Sequence, residues 1–136
     1  MPRVNVFPRL GRLLAPALLP ALLAAAPVPA ETRLAMVEQP GCAWCRAWDR
    51  EVGPIYPRSP EGAAAPLMRL RLGEPLPEGI AFDAPVRLTP TFVLLVDGAE
   101  AGRIEGYPGD EFFWSVLARL LEAAPPSQAP PGAVDD

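Results

Sequence analysis

The sequence predicts an α/β domain in which a mixed β-sheet is covered by helices. Three observations carry that prediction. An extended run stops at Pro40-Gly41 and passes into a helical pattern. A strongly apolar run, Phe92 to Val96, meets an Asp-Gly turn and a second extended run. The chain then closes on an amphipathic helix.

The elements follow in order. Residues 33–37 read as a short buried strand that Pro40-Gly41 ends. In 42–52 the apolar residues Trp44, Ala47, Trp48 and Val52 recur near helical spacing, and Gly53-Pro54 stops the helix. The proline-rich stretch 54–66 is a loop. It has room for one helical turn, since Ser59 offers an N-cap and Pro60 suits the first helical position. Residues 67–72 alternate apolar and basic, which gives a strand with one wet face. Residues 73–88 are mostly loop. The β-branched run 92–96 turns through Asp97-Gly98 into its hairpin partner at 101–105. The last helix, 109–123, buries Phe113, Val116, Leu117, Leu120 and Leu121. It carries Asp110 and Glu111 at the positive end of its dipole and Arg119 nearer the negative end. The first strand pair is expected to be parallel and the late hairpin antiparallel.

Both ends differ from this domain. Arg3, Arg9 and Arg12 precede an unbroken Leu, Ala and Pro run from Leu13 to Ala26, and small residues follow at Val28 to Ala30. That is the order of a secretory signal peptide, 1–30, with cleavage after Ala30 and export to the periplasm. The run falls short of the roughly 20 residues of a spanning helix. An uncleaved anchor is the alternative reading. The domain then covers 31–124. The tail 125–136, rich in proline and ending in Asp135 and Asp136, lacks apolar surface to bury and is expected to be disordered.

The inventory excludes most chemistries. All twelve basic residues are Arg, and the chain has neither Lys nor His. Schiff-base chemistry, P-loop phosphate binding and imidazole catalysis are therefore ruled out. Beyond the leader, nine Arg face sixteen Asp and Glu, so the domain is acidic and nucleic acid is not expected as a partner. No cofactor is called for.

What remains is sulfur. The two cysteines, Cys42 and Cys45, share one tetrapeptide where a strand gives way to a helix. A helix start presents unpaired N–H groups and positive potential, which lowers a thiol pKa, so Cys42 is the nucleophile by position. Cys45, one turn further in, is placed to resolve the mixed disulfide. As a structural staple so short a loop adds only roughly 2 kcal/mol. No metal site is expected: zinc needs four ligands, although two thiolates leave Cu(I) binding open. A non-catalytic binding module with an inert disulfide also stays open.

Gly41-Cys42-Ala43-Trp44-Cys45, Thr89-Pro90-Thr91-Phe92, Asp97-Gly98 and Gly106, at these spacings, resemble the thioredoxin superfamily over nearly the whole domain. The resemblance implies a thioredoxin-like fold and a thiol–disulfide oxidoreductase acting on protein disulfides, with a membrane thiol donor and a monomeric state. It implies that Pro90 is cis and packs against the redox pair. Thr89 would contact the substrate backbone, while Trp44, Gly106 and Tyr107 line the groove. The runs from Glu38 to Arg50 and from Glu105 to Trp114 resemble small exported thioredoxins of bacterial sulfur-oxidation systems. One departure matters. The superfamily usually buries a carboxylate six residues before the first cysteine, and Met36 stands there. Glu38, on the same side of the strand, is either its substitute or a solvated strand-end residue. Trp48, Tyr56 and Met68 read as packing.

Overall fold

The computed structural model describes residues 31–126. Strand β1 spans Thr32–Glu38 and leads through the Gln39–Cys42 loop into α1, Ala43–Glu51. A 3₁₀ turn, Tyr56–Arg58, and the short α2, Pro60–Ala64, precede β2, Leu67–Arg71. After a long irregular segment come β3, Thr91–Val96, β4, Ala99–Glu105, and α3, Asp110–Ala123. The four strands lie in the order β2-β1-β3-β4. β1 runs parallel to β2 and antiparallel to β3, and β3 pairs antiparallel with β4.

Local chemistry accounts for the elements. Ser59 accepts the Gly62 N–H at 2.9 Å and caps α2, with Pro60 at the first helical position. Asp97 and Gly98 both have positive φ, 53° and 82°, which is the backbone of a tight two-residue hairpin. Gly98 is also needed for space, because a Cβ there would meet the Gly79 carbonyl oxygen at 1.9 Å. β3 is buried along its whole length, as its unbroken apolar run implies.

The helices share one face of the sheet. Leu34, Met36, Phe92, Leu94 and Ile104 pack there against Cys45 and Trp48 of α1, Val52 at its end, and Phe113 and Leu117 of α3. Val116, Leu120 and Leu121, expected in the core, are partly buried against it. Trp48 is fully buried among the rings of Tyr56, Phe92 and Phe113, whose centroids lie 5.4–5.9 Å away.

The opposite face has no helix over it among the described residues. Ala35, Val93 and Leu95 are covered instead by Ile80, Phe82 and Val86 from the irregular segment. Pro75, Pro77 and Pro85, with Gly73 and Gly79 at positive φ, keep that segment from coiling. A polar strap ties it to β4. Glu100 accepts the Asp83 N–H and two N–H groups of Arg103, and Arg103 also donates to the Ala84 carbonyl at 2.8 Å.

The strap makes stability depend on acid. Hydrogen bonding from Arg103, opposed by burial, holds the Glu100 carboxyl below its ordinary range. A group depressed in the folded state stabilises above its unfolded pKa of about 4.3 and loses that contribution as pH falls through the folded value. At pH 7, Glu100→Gln is expected to cost about 2 kcal/mol, or roughly 10 °C in Tm. The Tm gap to the native protein should close progressively below about pH 4. Thermal melts from pH 7 to pH 3 measure this, and a gap constant with pH would refute it.

Candidate active site

Register brings three separate segments to one end of the sheet. Val37, near the end of β1, pairs with Thr91 at the start of β3, and Thr91 pairs with Glu105 at the end of β4. The segments just beyond these residues therefore meet: Gln39 to Cys42, Thr89-Pro90, and Gly106-Tyr107. The Gly106 N–H donates to the Pro90 carbonyl at 2.7 Å, fastening two of them together. Gly106 takes φ +84°, which lets the chain turn sharply there. The Thr89–Pro90 peptide bond is cis. Thr91 Oγ1 donates to the Leu88 carbonyl at 2.9 Å and closes the loop that carries it.

The cysteines occupy the start of α1. Gly41, at φ +80°, turns the chain out of β1, and Cys42 is the N-cap residue in an extended conformation. Its Sγ accepts the Cys45 N–H at 3.1 Å, the place a Ser or Asp oxygen fills in an ordinary cap. The two are joined as a disulfide with their Cα atoms 5.3 Å apart. Cys42 is half-buried, whereas Cys45 is 4 % exposed and packs in the core with Met36 and Trp48. An incoming sulfur can therefore reach Cys42 but not Cys45. A helix start of this kind favours a thiolate over a thiol at the capping position.

The remaining residues singled out in the sequence sort by exposure. Trp44 projects beside the disulfide, 63 % exposed. Thr89 and Gly106 are half-buried and Pro90 is buried. Tyr107 turns inward. Its ring enters the core and its hydroxyl donates to Glu51 Oε2 at 2.6 Å, tying the end of α1 to the loop after β4. Burial first, and then Glu51, push its phenol pKa up. Tyr107 can offer a groove its backbone and ring edge, not its hydroxyl. Leu88 was not foreseen: it is exposed and apolar, and a Cβ on Gly106 would lie 4.0 Å from its Cδ1. Its position directly before Thr89-Pro90 was the available signal.

A search of solved structures returns the periplasmic thioredoxin SoxS of Paracoccus pantotrophus, in its reduced form. It shares 54% identity and a TM-score of 0.67, over 68% of this chain and 98% of that one. The chain belongs to the thioredoxin superfamily. A thioredoxin from Malassezia sympodialis, Mala s 13, matches at 13% identity and a TM-score of 0.47, over 68% of this chain and 77% of that one, too distant to carry argument. No protein-family profile and no curated protein matches the chain.

Within this thioredoxin fold, the superfamily's usual buried carboxylate is absent. Met36 fills its place and is fully buried. A cluster of charges lies at the rim of the core. Arg69 of β2, register partner of Met36, donates through Nη1 to Glu38 Oε2 at 2.8 Å and through Nη2 to Asp49 Oδ1 at 2.5 Å. Its guanidinium carbon lies 5.9 Å from the centre of the Trp48 ring. Glu38 is thus neither a buried carboxylate nor a free surface group; it is held by an arginine. Burial pulls the Arg69 pKa down, but Asp49 and Glu38 outweigh it and hold the pKa above its ordinary value.

Proposed function

We propose that this protein is a periplasmic thiol–disulfide oxidoreductase that reduces disulfides on one or a few protein partners. The observation that carries the reading is the helix-capping Cys42 sulfur, reachable from solvent, with Cys45 buried one turn behind it. In the reduced protein the Cys42 thiolate attacks a partner disulfide. One partner sulfur leaves as thiolate and a mixed disulfide forms. Cys45 loses its proton and attacks Cys42 Sγ, the second partner sulfur leaves, and the Cys42–Cys45 disulfide results. Two electrons have passed to the partner. A thiol donor at the membrane returns them.

The partner's segment lies across the loops around the disulfide. Thr89 and Pro90 meet its backbone, Trp44 and Gly106 flank it, and Tyr107 shapes the floor. Protein rather than small-molecule disulfides fit this arrangement, since exposed Trp44 offers broad apolar contact beside the reacting sulfur. The leader 1–30 and the tail from 127 lie outside the described residues. The periplasmic assignment rests on that leader's composition and on the periplasmic relative. Among the described residues no helix is long and apolar enough to cross a membrane.

Trapping tests the reading. Cys45→Ser removes the resolving thiol and leaves the attacking one. Incubated with a periplasmic extract, it is expected to accumulate a few discrete mixed disulfides through Cys42, released by dithiothreitol. Cys42→Ser should trap none. A smear of adducts reflecting protein abundance, or a Cys42 alkylation midpoint no lower than the free-thiol value of about 8.5, would leave an inert fold and end the proposal.

A further inference from the structure

The resolving step asks Cys45, a buried thiol, to give up a proton. Burial in an apolar core opposes thiolate formation, and no carboxylate stands at Met36 to receive the proton. The charges that can act on Cys45 come from four places. β1 contributes Glu38 and β2 contributes Arg69. α1 itself contributes Asp49 and the exposed Arg46. The loop after β4 contributes Tyr107, whose hydroxyl is committed to Glu51. The Thr89-Pro90 loop contributes none.

Asp49 follows Cys45 by four residues on α1. Side chains so spaced lie on one helix face with Cβ atoms about 5–6 Å apart, and the later one leans back towards the helix start. Asp49 therefore leans towards Cys45, and Arg69 is bonded to Asp49. Glu38 completes the set from the end of β1. The cluster carries two negative charges and one positive. It also joins β1, β2 and the redox helix, with Asp49 one turn beyond the inner thiol.

We propose that the Glu38–Arg69–Asp49 cluster sets the ionisation of Cys45 and so the rate at which the mixed disulfide resolves. This rests on the oxidoreductase reading and goes beyond it. Arg69 and Asp49 act through Cys45 without touching substrate, as positioning residues, and their influences have opposite signs. Arg69 favours the Cys45 thiolate, while Asp49 and Glu38 disfavour it. The arginine thereby keeps two carboxylates from suppressing the thiolate they stand beside.

The sign difference makes the proposal testable, because a purely structural role would move all variants in one direction. Reduced protein mixed with 5,5′-dithiobis(2-nitrobenzoate) releases one thionitrobenzoate when Cys42 attacks. It releases a second when Cys45 resolves the adduct. The second phase, followed against pH, is the readout. Arg69→Gln should raise its pH midpoint by about half to one unit and slow it several-fold at pH 7. Asp49→Asn should lower the midpoint by a similar amount, and Arg69→Lys should restore it. Salt near 1 M should draw the variants together, since the cluster is partly exposed and screening is strong there. Midpoints that stay put, or shift the same way in Arg69→Gln and Asp49→Asn, overturn the proposal. Those outcomes leave a rapid first phase intact. Loss of the rapid first phase in the native protein would instead overturn the oxidoreductase reading itself.

Discussion

Replacing Trp48 by alanine is expected to lower the stability of the oxidised domain by about 4 kcal/mol, a fall of roughly 20 °C in Tm. The size follows from the site. Trp48 is fully buried and has ring contacts with Tyr56, Phe92 and Phe113, so it joins α1 to the sheet and to α3. Phe92 and Phe113 pack on each other at 4.9 Å, and the rings around Trp48 are stiff side chains that cannot slide into the space. The cavity would persist, and its cost adds to the lost transfer energy. Trp48→Phe should cost far less. It keeps an aromatic ring and removes an indole N–H that is buried without a hydrogen-bond partner among the described residues. Calorimetry of the three proteins checks this. An alanine variant melting within about 5 °C of the native protein would mean the core repacks freely.

Trp48 also shows which features a sequence makes legible. Its helical spacing from Trp44 and Val52 marked it as core, and the core holds it. The Asp97-Gly98 turn, the Ser59 cap and the strand-to-helix setting of the cysteines were readable for the same reason: each is a local device whose residues sit within a few positions of one another. The Glu38–Arg69–Asp49 cluster was not readable. Arg69 looked like one more basic residue on a wet strand face, and only the parallel register that sets it against Met36 brings it to the redox helix. Glu38 had two readings because its fate depends on that distant arginine. The cover of the second sheet face was hidden in the same way. Residues 73–88 have turn chemistry throughout, but their purpose appears only when Phe82 and Val86 meet Val93 and Leu95 and Glu100 anchors the chain through Asp83 and Arg103. The site's position is likewise a product of pairing, because Thr89 and Cys42 are far apart in the chain and share only the Val37–Thr91 register.

Removing the sulfur of Cys42 should have the largest effect on activity. Cys42→Ser is expected to cut disulfide reduction by at least about a thousandfold while leaving the fold in place. An alcohol stays protonated near neutral pH and cannot take the sulfur's part in exchange, which proceeds through thiolate. The fold should survive because serine suits the same backbone position. Its Oγ can accept the Cys45 N–H that Cys42 Sγ now accepts, so the first turn of α1 keeps its cap. The disulfide closes only a four-residue loop, so its loss costs at most roughly 2 kcal/mol. Cys42→Ala makes the comparison sharper. It is equally inactive but loses the cap, and should melt lower than Cys42→Ser by about 1 kcal/mol, or roughly 5 °C. Insulin-disulfide reduction and thermal melts on the two variants separate the sulfur's chemical role from its structural one. Substantial activity in either variant would move the reacting sulfur to Cys45, which the core shields from any partner.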